Sequence, residues 1–346
     1  MTPVRFALVG AGSIAQSYAA AFETTTEAKL VAVADVRADA AAALAQRFSC
    51  PHFRAADDMA GAVDFEAAVV CTPPSTHCDL TLLLVEHGRH VLCEKPFCLE
   101  VGEAEQMVDA ATRAGVKLTM ASKFRYADDV IRAKSIVTSG ILGEIVLVEN
   151  SFTARVDMAN RWNSDPRLSG GGVLIDNGTH SLDIMRYLLG PLADVQVVEG
   201  KRVQGLPVED TVRIFARSEA GVMAHIDLSW SIDKQLDWYL NIYGSHGTVT
   251  VGWKGSRYRQ FASRDWIQFG KGYDKVWAFR NQINNFARAI RGEEMLLITA
   301  ADALASVEAV ASAYEALHHS HWTSCRHDEV HKRNGERKAC AMGLAS

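Results

Sequence analysis

The sequence predicts an α/β protein: an N-terminal Rossmann domain with a doubly wound parallel sheet, then an α+β domain with a largely antiparallel open sheet. Three observations predict this fold class. Short apolar runs alternate with amphipathic stretches over the first 122 residues, and a glycine-rich turn follows the first apolar run. After about residue 140 the apolar segments follow one another with few helical stretches between them.

The first part of the chain alternates buried strands with helices, which is typical of a parallel sheet covered on both faces. The predicted strands are Val4–Gly10, Leu30–Asp35, Ala67–Thr72, His90–Glu94 and Lys117–Ser122, with a weaker one near His52. The helices between them are predicted near Ile14–Thr24, Ala38–Phe48, Thr76–His87 and Glu103–Ala114.

The second part begins with a predicted helix near Asp128–Ser139. Consecutive strands without helices between them pair antiparallel, and they are predicted at Glu144–Ala154, Asp194–Lys201, Thr211–Arg217, Gly221–Ser229, Leu236–Tyr243 and Gly247–Gly252. Two helices follow, Val276–Arg291 and Thr299–Leu317. The expected division is residues 1–123 for the Rossmann domain, 124–324 for a substrate and oligomerisation domain, and 325–346 for a polar tail.

Composition narrows the possible functions. The formal net charge is −5 and the pI is near 6.2, so no basic stripe for nucleic acid is expected. No apolar run approaches the roughly 20 residues that span a bilayer. The seven cysteines are scattered without a close pair, which favours a reduced, cytoplasmic protein. No metal site is predicted, because the histidines His327 and His331 of the tail are not carried on an apolar helix.

The turn Gly10-Ala11-Gly12-Ser13-Ile14-Ala15 matches the G-x-G-x-x-A pattern between a strand and a helix. Such a turn lets a pyrophosphate approach the backbone and lie on the helix N-terminus. Asp35 ends the next strand, where a carboxylate would accept hydrogen bonds from a ribose. Asp35 favours NAD, while Arg37 leaves NADP as the less favoured alternative. The loop Thr72-Pro73-Pro74 is expected to border the nicotinamide.

A candidate catalytic group follows the next strand as Glu94-Lys95-Pro96, with Lys95 offering an ammonium to a reacting oxygen. Far along the chain, the glycine run Gly170–Gly172 leads into a helix expected to start near Asn177. That start places Asp176 at the cap and His180 one turn in, where an imidazole suits proton transfer near pH 7. The alternatives are a surface ion pair for Lys95, a plain cap for Asp176 and an interior histidine for His180.

With these motifs together, residues 4–318 resemble the glucose–fructose oxidoreductase/inositol dehydrogenase (Gfo/Idh/MocA) family. The motifs are the glycine turn, Asp35, Thr72-Pro73-Pro74 with His77, Glu94-Lys95-Pro96 and Gly170–Asp183. The resemblance implies that Lys95 contacts the substrate and the nicotinamide ribose, that His180 is the acid/base, and that Asp176 supports both the substrate and His180. It also implies a homodimer or homotetramer formed through the open sheet.

The expected function is NAD-dependent oxidation of a secondary ring hydroxyl of a sugar, cyclitol or aminosugar, or the reverse reduction. A redox-neutral glycosidase or epimerase that uses NAD, and a non-catalytic NAD-binding regulator, are the alternatives. Three further residues are candidates for contact with the substrate. Arg125 is expected to line the cleft, and the pair Arg161-Trp162 either closes over the ligands or serves an interface.

Overall fold

A computed structural model of the chain describes residues 2–263, 265–320 and 322. Its first sheet has six parallel strands in the order β3-β2-β1-β4-β5-β6. The strands are β1 (Val4–Val9), β2 (Ala28–Ala34), β3 (His52–Phe53), β4 (Ala67–Val70), β5 (His90–Glu94) and β6 (Leu118–Ala121). The predicted Rossmann sheet is therefore confirmed.

Five helices connect these strands: α1 (Ser13–Phe22), α2 (Ala38–Phe48), α3 (Ala56–Ala62), α4 (His77–Glu86) and α5 (Val101–Ala114). Four of them match the predicted helices. The sequence prediction missed α3, which has only seven residues, one of them Gly61. A helix of two turns with a glycine inside has little local signal, and α3 is held by burial of Ala56, Met59 and Ala60.

The second sheet has eight strands in the order β14-β13-β12-β11-β7-β10-β9-β8, and only the β7–β10 pair is parallel. Helix α6 (Asp128–Thr138) precedes it. Its strands are β7 (Ile145–Thr153), β8 (Leu192–Glu199), β9 (Thr211–Ser218), β10 (Met223–Ser229), β11 (Trp238–Gly244), β12 (Gly247–Gly252), β13 (Ser256–Gln260) and β14 (Ile267–Gly270). The largely antiparallel sheet is confirmed, and the polar strands β13 and β14 at one side of it were missed.

The remaining helices are α7 (Pro166–Ser169), α8 (Val173–Leu189), α9 (Lys275–Ile290) and α10 (Ala300–His318). Helix α8 covers one face of the second sheet. Helix α9 returns to the first sheet, where Phe279, Ile283 and Phe286 join the core around Phe6 of β1. Helix α10 contacts both α5 and α8. Helix α9, which lies in the predicted second domain, thus packs on the sheet of the first. The three predicted domain ranges stay predictions.

This packing places the ends of β1, β4, β5 and β6 at one edge of the first sheet, facing the N-terminal half of α8. No helix among the described residues is long and apolar enough to cross a membrane. The predicted polar tail, residues 325–346, lies outside the described residues.

Candidate active site

The turn after β1 requires glycine at its first position. Gly10 has φ +97°, and a Cβ added there would lie 2.8 Å from the carbonyl oxygen of Cys71. The Gly10 N–H donates to the Ala34 carbonyl at 2.7 Å, so the turn is tied to β2 as well. A side chain at this position would both strain the backbone and push β4 away.

Gly12 has a different reason to lack a side chain. It caps α1 with extended backbone, no side chain caps that helix, and an added Cβ would meet nothing within 4 Å. The first N–H groups of α1, from Ser13 and Ile14 onward, are therefore free for an anionic ligand. The open space at Gly12 and the uncapped helix fit a dinucleotide pyrophosphate.

Asp35, just after β2, lies against this turn. Its Oδ2 accepts a hydrogen bond from the Ala11 N–H at 2.6 Å, and its Oδ1 accepts one from the Arg37 N–H at 2.8 Å. The Arg37 guanidinium is mostly exposed, with Nε 3.6 Å from Asp35 Oδ1. The carboxylate is thus fixed against the glycine turn, and its contact with the adenosine ribose stays a prediction.

The loop after β4 is held from behind by His77. Its ring is fully buried, with Nδ1 2.8 Å from the Pro96 carbonyl oxygen and Nε2 2.9 Å from that of Thr72. Burial lowers the pKa of His77, so the neutral ring donates to one of the two carbonyls. Thr72 Oγ1 is 2.7 Å from Thr76 Oγ1. His77 therefore joins the loop of Thr72 and Pro73 to the segment after β5, and supports the cleft from inside the protein.

Glu94 ends β5 inside the protein rather than at its surface. Its Oε1 accepts a hydrogen bond from the Tyr18 hydroxyl at 2.8 Å, and its Oε2 accepts one from the Lys95 N–H at 3.0 Å. Gln282 of α9 donates to the same Tyr18 oxygen at 3.1 Å. Burial raises the pKa of Glu94, against the opposing effect of Lys123 and Lys95. Tyr18 and Gln282 were not predicted, because only the folded chain brings them together.

Lys95 pairs with Asp176 across the cleft. Its Nζ lies 2.6 Å from Asp176 Oδ1 and 3.0 Å from the Asp176 carbonyl oxygen, and the two side chains are 14% and 23% exposed. The pair joins the edge of the first sheet to α8. Two of the three N–H donors of the ammonium are used on Asp176, and one remains for a ligand.

The predicted helix start near Asn177 is wrong. Helix α8 begins at Val173 with Gly172 as its cap, so Asp176 lies in the first turn and His180 lies in the second. The reason is a distant residue: Glu209 accepts hydrogen bonds from the N–H groups of Gly172 at 2.9 Å and Leu174 at 3.1 Å. This carboxylate satisfies the first turn in place of a local cap.

His180 is 4% exposed, and its Nδ1 is buried with no hydrogen-bond partner among the described residues. Its ring lies edge-on to Phe124, with centroids 5.1 Å apart. Burial lowers the pKa of His180 well below 6.5, and Lys95 and Lys123 lower it further. Within the described residues Asp176 makes no hydrogen bond to this ring, and its expected support of His180 stays a prediction. A neutral imidazole at this place can accept a proton.

Arg125 does not take the expected place on the cleft surface. It is 4% exposed, and its guanidinium lies on the fully buried Asp183, with Nη2 2.6 Å from Oδ1 and Nε 2.9 Å from Oδ2. Arg161 and Trp162 lie exposed before α7. No contact joins either of them to Lys95, Asp176 or His180 in the part of the chain described.

An aromatic cluster and a second lysine complete the surroundings of His180. Phe124 stacks on Phe152 and on Tyr273 at centroid distances of 4.7 and 4.8 Å, and Trp253 lies 4.6 Å from Tyr239. Lys123 follows β6 as Lys95 follows β5. Its position after a buried parallel strand was the signal that could have identified it as a site residue.

Two sequence profiles of the Gfo/Idh/MocA family match the chain. The one described as "Oxidoreductase family, NAD-binding Rossmann fold" matches residues 4–122, and the C-terminal domain profile matches residues 130–250. Together they cover more than half of the chain. The chain belongs to this family. It is therefore an NAD-dependent oxidoreductase acting on CH–OH groups.

Named dehydrogenases are similar to half of the chain or more. Inositol 2-dehydrogenase of Rhizobium meliloti is 27% identical over 91% of this chain and 97% of its own. D-glucoside 3-dehydrogenase of Escherichia coli is 36% identical over 55% of each chain. The solved structure of levoglucosan dehydrogenase with NADH and levoglucosan has the same fold, with TM-score 0.85 at 19% identity over 93% of this chain and 99% of that one.

Proposed function

We propose that this oxidoreductase converts a secondary ring hydroxyl of a sugar, cyclitol or aminosugar to a ketone with NAD, or runs the reverse reduction. The observation that carries the proposal is the Lys95–Asp176 pair beside a buried, neutral His180, at the edge of the sheet where the glycine turn opens. The inositol and glucoside substrates in the names of the two relatives support this substrate class.

NAD held by the glycine turn would supply the acceptor for the hydride of the carbinol carbon. His180 takes the hydroxyl proton, because its low pKa keeps the ring unprotonated at neutral pH. Lys95 donates its remaining N–H to the reacting oxygen and stabilises the negative charge that develops there. Asp176 fixes the direction of that donor by holding the other two N–H groups.

The cleft walls fit a ring with apolar C–H faces and polar edges. The hydroxyls of Tyr239 and Tyr273 are buried without a hydrogen-bond partner among the described residues. Trp253 is 39% exposed at the rim of the same cluster. A polyhydroxylated ring would pack its C–H face on the exposed part of Trp253. Arg161 and Trp162 remain proposed substrate contacts at the entrance.

We also propose assembly into a homodimer or homotetramer through the open face of the second sheet. On that face Phe215 is 43% exposed and Met223 is 56% exposed, on the adjacent strands β9 and β10. Apolar side chains in the middle of a sheet face are typical of an interface. Sedimentation equilibrium should give a monomer for Phe215→Glu and an oligomer for the wild type; a monomeric wild type contradicts the proposal.

A cytoplasmic location completes the proposal. The five cysteines described are free, and Cys71, Cys78, Cys93 and Cys98 are buried among apolar residues. Reduced core thiols suit a reducing compartment. Cell fractionation checks this, and recovery of the protein outside the cytoplasmic fraction contradicts it.

Lys95→Met and His180→Asn test the chemistry. Each should lower kcat/KM at least about a hundredfold and leave the Kd for NAD within about threefold of the wild type. His87→Asn is the matched control, since His87 lies at the exposed end of α4 on Asp57 and should retain full activity. The acidic limb of the wild-type profile should fall below pH 6.5. Near-normal turnover in both cleft variants contradicts the mechanism.

A further inference from the structure

Lys123 leaves the first sheet beside Lys95. It is the first residue of a short 3₁₀ helix, Lys123–Tyr126, that follows β6. Strands β5 and β6 run parallel and in register, with Glu94 opposite Ala121. The chain therefore places one lysine just past the end of each of two adjacent strands, and the Lys95 side chain reaches Asp176 of α8.

The Lys123 ammonium lies between aromatic rings, with Nζ 5.5 Å from the centroid of Phe124 and 5.9 Å from that of Phe279. The charged and titratable groups that act on its charge or on which it acts come from three elements: Glu94 and Lys95 at the end of β5, Asp176 and His180 on α8, and Lys275 on α9. Lys123 is thus electrostatically coupled to the residues proposed to carry the reaction.

Both carboxylates near this ammonium are already engaged. Glu94 accepts from the Tyr18 hydroxyl and the Lys95 N–H, and Asp176 holds the Lys95 ammonium. Within the described residues, Lys123 makes no hydrogen bond and no ion pair. Burying an ammonium without a hydrogen-bond acceptor costs free energy. A ligand that brings an oxygen acceptor into the cleft would lower this cost.

The two lysines therefore differ in what they can offer. Lys95 donates two of its three ammonium N–H groups to Asp176. Within the described residues, none of the three N–H groups of the Lys123 ammonium is donated. The Phe124 ring lies 5.1 Å from the His180 ring and 5.5 Å from the Lys123 ammonium, and both ammonium groups lower the pKa of His180. The reacting oxygen must lie next to the base, so it falls within the field of both lysines.

We propose that Lys123 is a second catalytic lysine, whose ammonium donates a hydrogen bond to the reacting oxygen of the alcohol together with Lys95. This inference rests on the proposed oxidation. In that step the O–H proton passes to His180, the hydride leaves the carbinol carbon for NAD, and the C–O bond becomes C=O. Lys123 keeps its own protons throughout and stabilises the charge on the oxygen before the ketone forms.

The proposed role of the Lys123 ammonium predicts how kcat/KM depends on pH. Burial, together with the charges of Lys95 and Lys275, lowers the pKa of Lys123 to about 8, and Glu94 and Asp176 oppose this shift. Because the proposed role needs the ammonium form, kcat/KM should fall as the pH rises through about 8. Arginine stays charged far above this pH, so Lys123→Arg should move the basic limb upward.

The experiment measures kcat/KM against pH for the wild type, Lys123→Met, Lys123→Arg and the control Lys117→Met, with the polyol that the wild type oxidises. Lys117 stands just before β6, at the opposite end of the same strand, so its substitution tests loss of a lysine away from the cleft. We expect Lys123→Met to lower kcat/KM at least about tenfold with the Kd for NAD within about threefold. Lys117→Met should match the wild type.

Each outcome decides the proposal. If Lys123→Met oxidises the substrate within about twofold of the wild type, the proposal is wrong. If Lys123→Met folds too poorly to bind NAD, the profile of Lys123→Arg decides, and a basic limb that stays at the wild-type position overturns the role. A wild type that oxidises no sugar, cyclitol or aminosugar refutes the proposed function itself, and this inference with it. Failure of Lys123 alone is recognised by an active wild type.

Discussion

The buried pair of Arg125 and Asp183 makes a quantitative prediction about stability. Asp183 is fully buried and Arg125 is 4% exposed. The Ser122 hydroxyl also donates to Asp183 Oδ2 at 2.6 Å, and Arg125 Nη1 lies 3.5 Å from Asp302 of α10. The contact at Asp183 Oδ1 is a close ion pair without hydrogen-bond alignment. The guanidinium thus fastens the end of β6 to α8 and α10.

Arg125→Met should cost about 3–5 kcal/mol of unfolding free energy, because it leaves the Asp183 carboxylate buried with only a hydroxyl for a partner. Arg47→Met is the matched control. Its partner Glu23 lies at a similar N–O distance of 2.7 Å, but the two side chains are 37% and 46% exposed. An exposed pair of this kind should contribute less than about 1 kcal/mol.

Urea denaturation followed by circular dichroism, in the absence of NAD, measures both losses. The double variant Arg125→Met/Asp183→Leu should recover most of the stability, since it removes the stranded charge along with its partner. If Arg125→Met is no less stable than Arg47→Met, the pair of Arg125 and Asp183 does not hold β6 to α8 and α10, and the assignment of Arg125 as a structural residue fails.

Two further predictions concern the nucleotide site. Gly10→Ala should destabilise the protein by roughly 1–3 kcal/mol, because φ is +97° there and the Cys71 carbonyl blocks the methyl group. Gly12→Ala should change the unfolding free energy by less than about 1 kcal/mol, because an added Cβ there meets nothing within 4 Å. Gly12→Ala should still raise the Kd for NAD at least about tenfold, measured by calorimetry, because the methyl group enters the space left for the pyrophosphate; unchanged affinity contradicts that placement. Asp35→Ala should weaken NAD about tenfold and NADP less, so that the ratio of the two Kd values narrows. A ratio that stays the same would show that Asp35 does not set the preference.

Local sequence was enough to predict most of the first sheet. A parallel strand buried on both faces is a nearly continuous apolar run, and each run here is followed by a glycine or a polar turn before an amphipathic helix. The glycine turn at Gly10 and the lysine after β5 could be placed at one edge of the sheet for the same reason, because parallel strands end together.

The rest depends on contacts between distant residues. The start of α8 could not be predicted from its neighbours, since Glu209 satisfies the first N–H groups from 37 residues away. Likewise, the sequence around Lys123 indicates only a junction after a strand. Its environment is set by Phe279 of α9 and by Asp176 of α8, which approach it only in the folded chain. The same holds for Arg125, whose partners Asp183 and Asp302 are far away in sequence.

Direct transfer of deuterium from the substrate to NAD tests the proposed oxidation of a ring hydroxyl at the Lys95, Asp176 and His180 site. The enzyme is incubated with NAD and with C-deuterated sugars, cyclitols and aminosugars, and the reduced cofactor is analysed by mass spectrometry and NMR. We expect one deuterium on the nicotinamide ring for each ketone formed, and we expect turnover to be abolished in His180→Asn. Labelled substrate that is converted without deuterated NADH accumulating, or no conversion of any compound by a wild type that binds NAD, would contradict it.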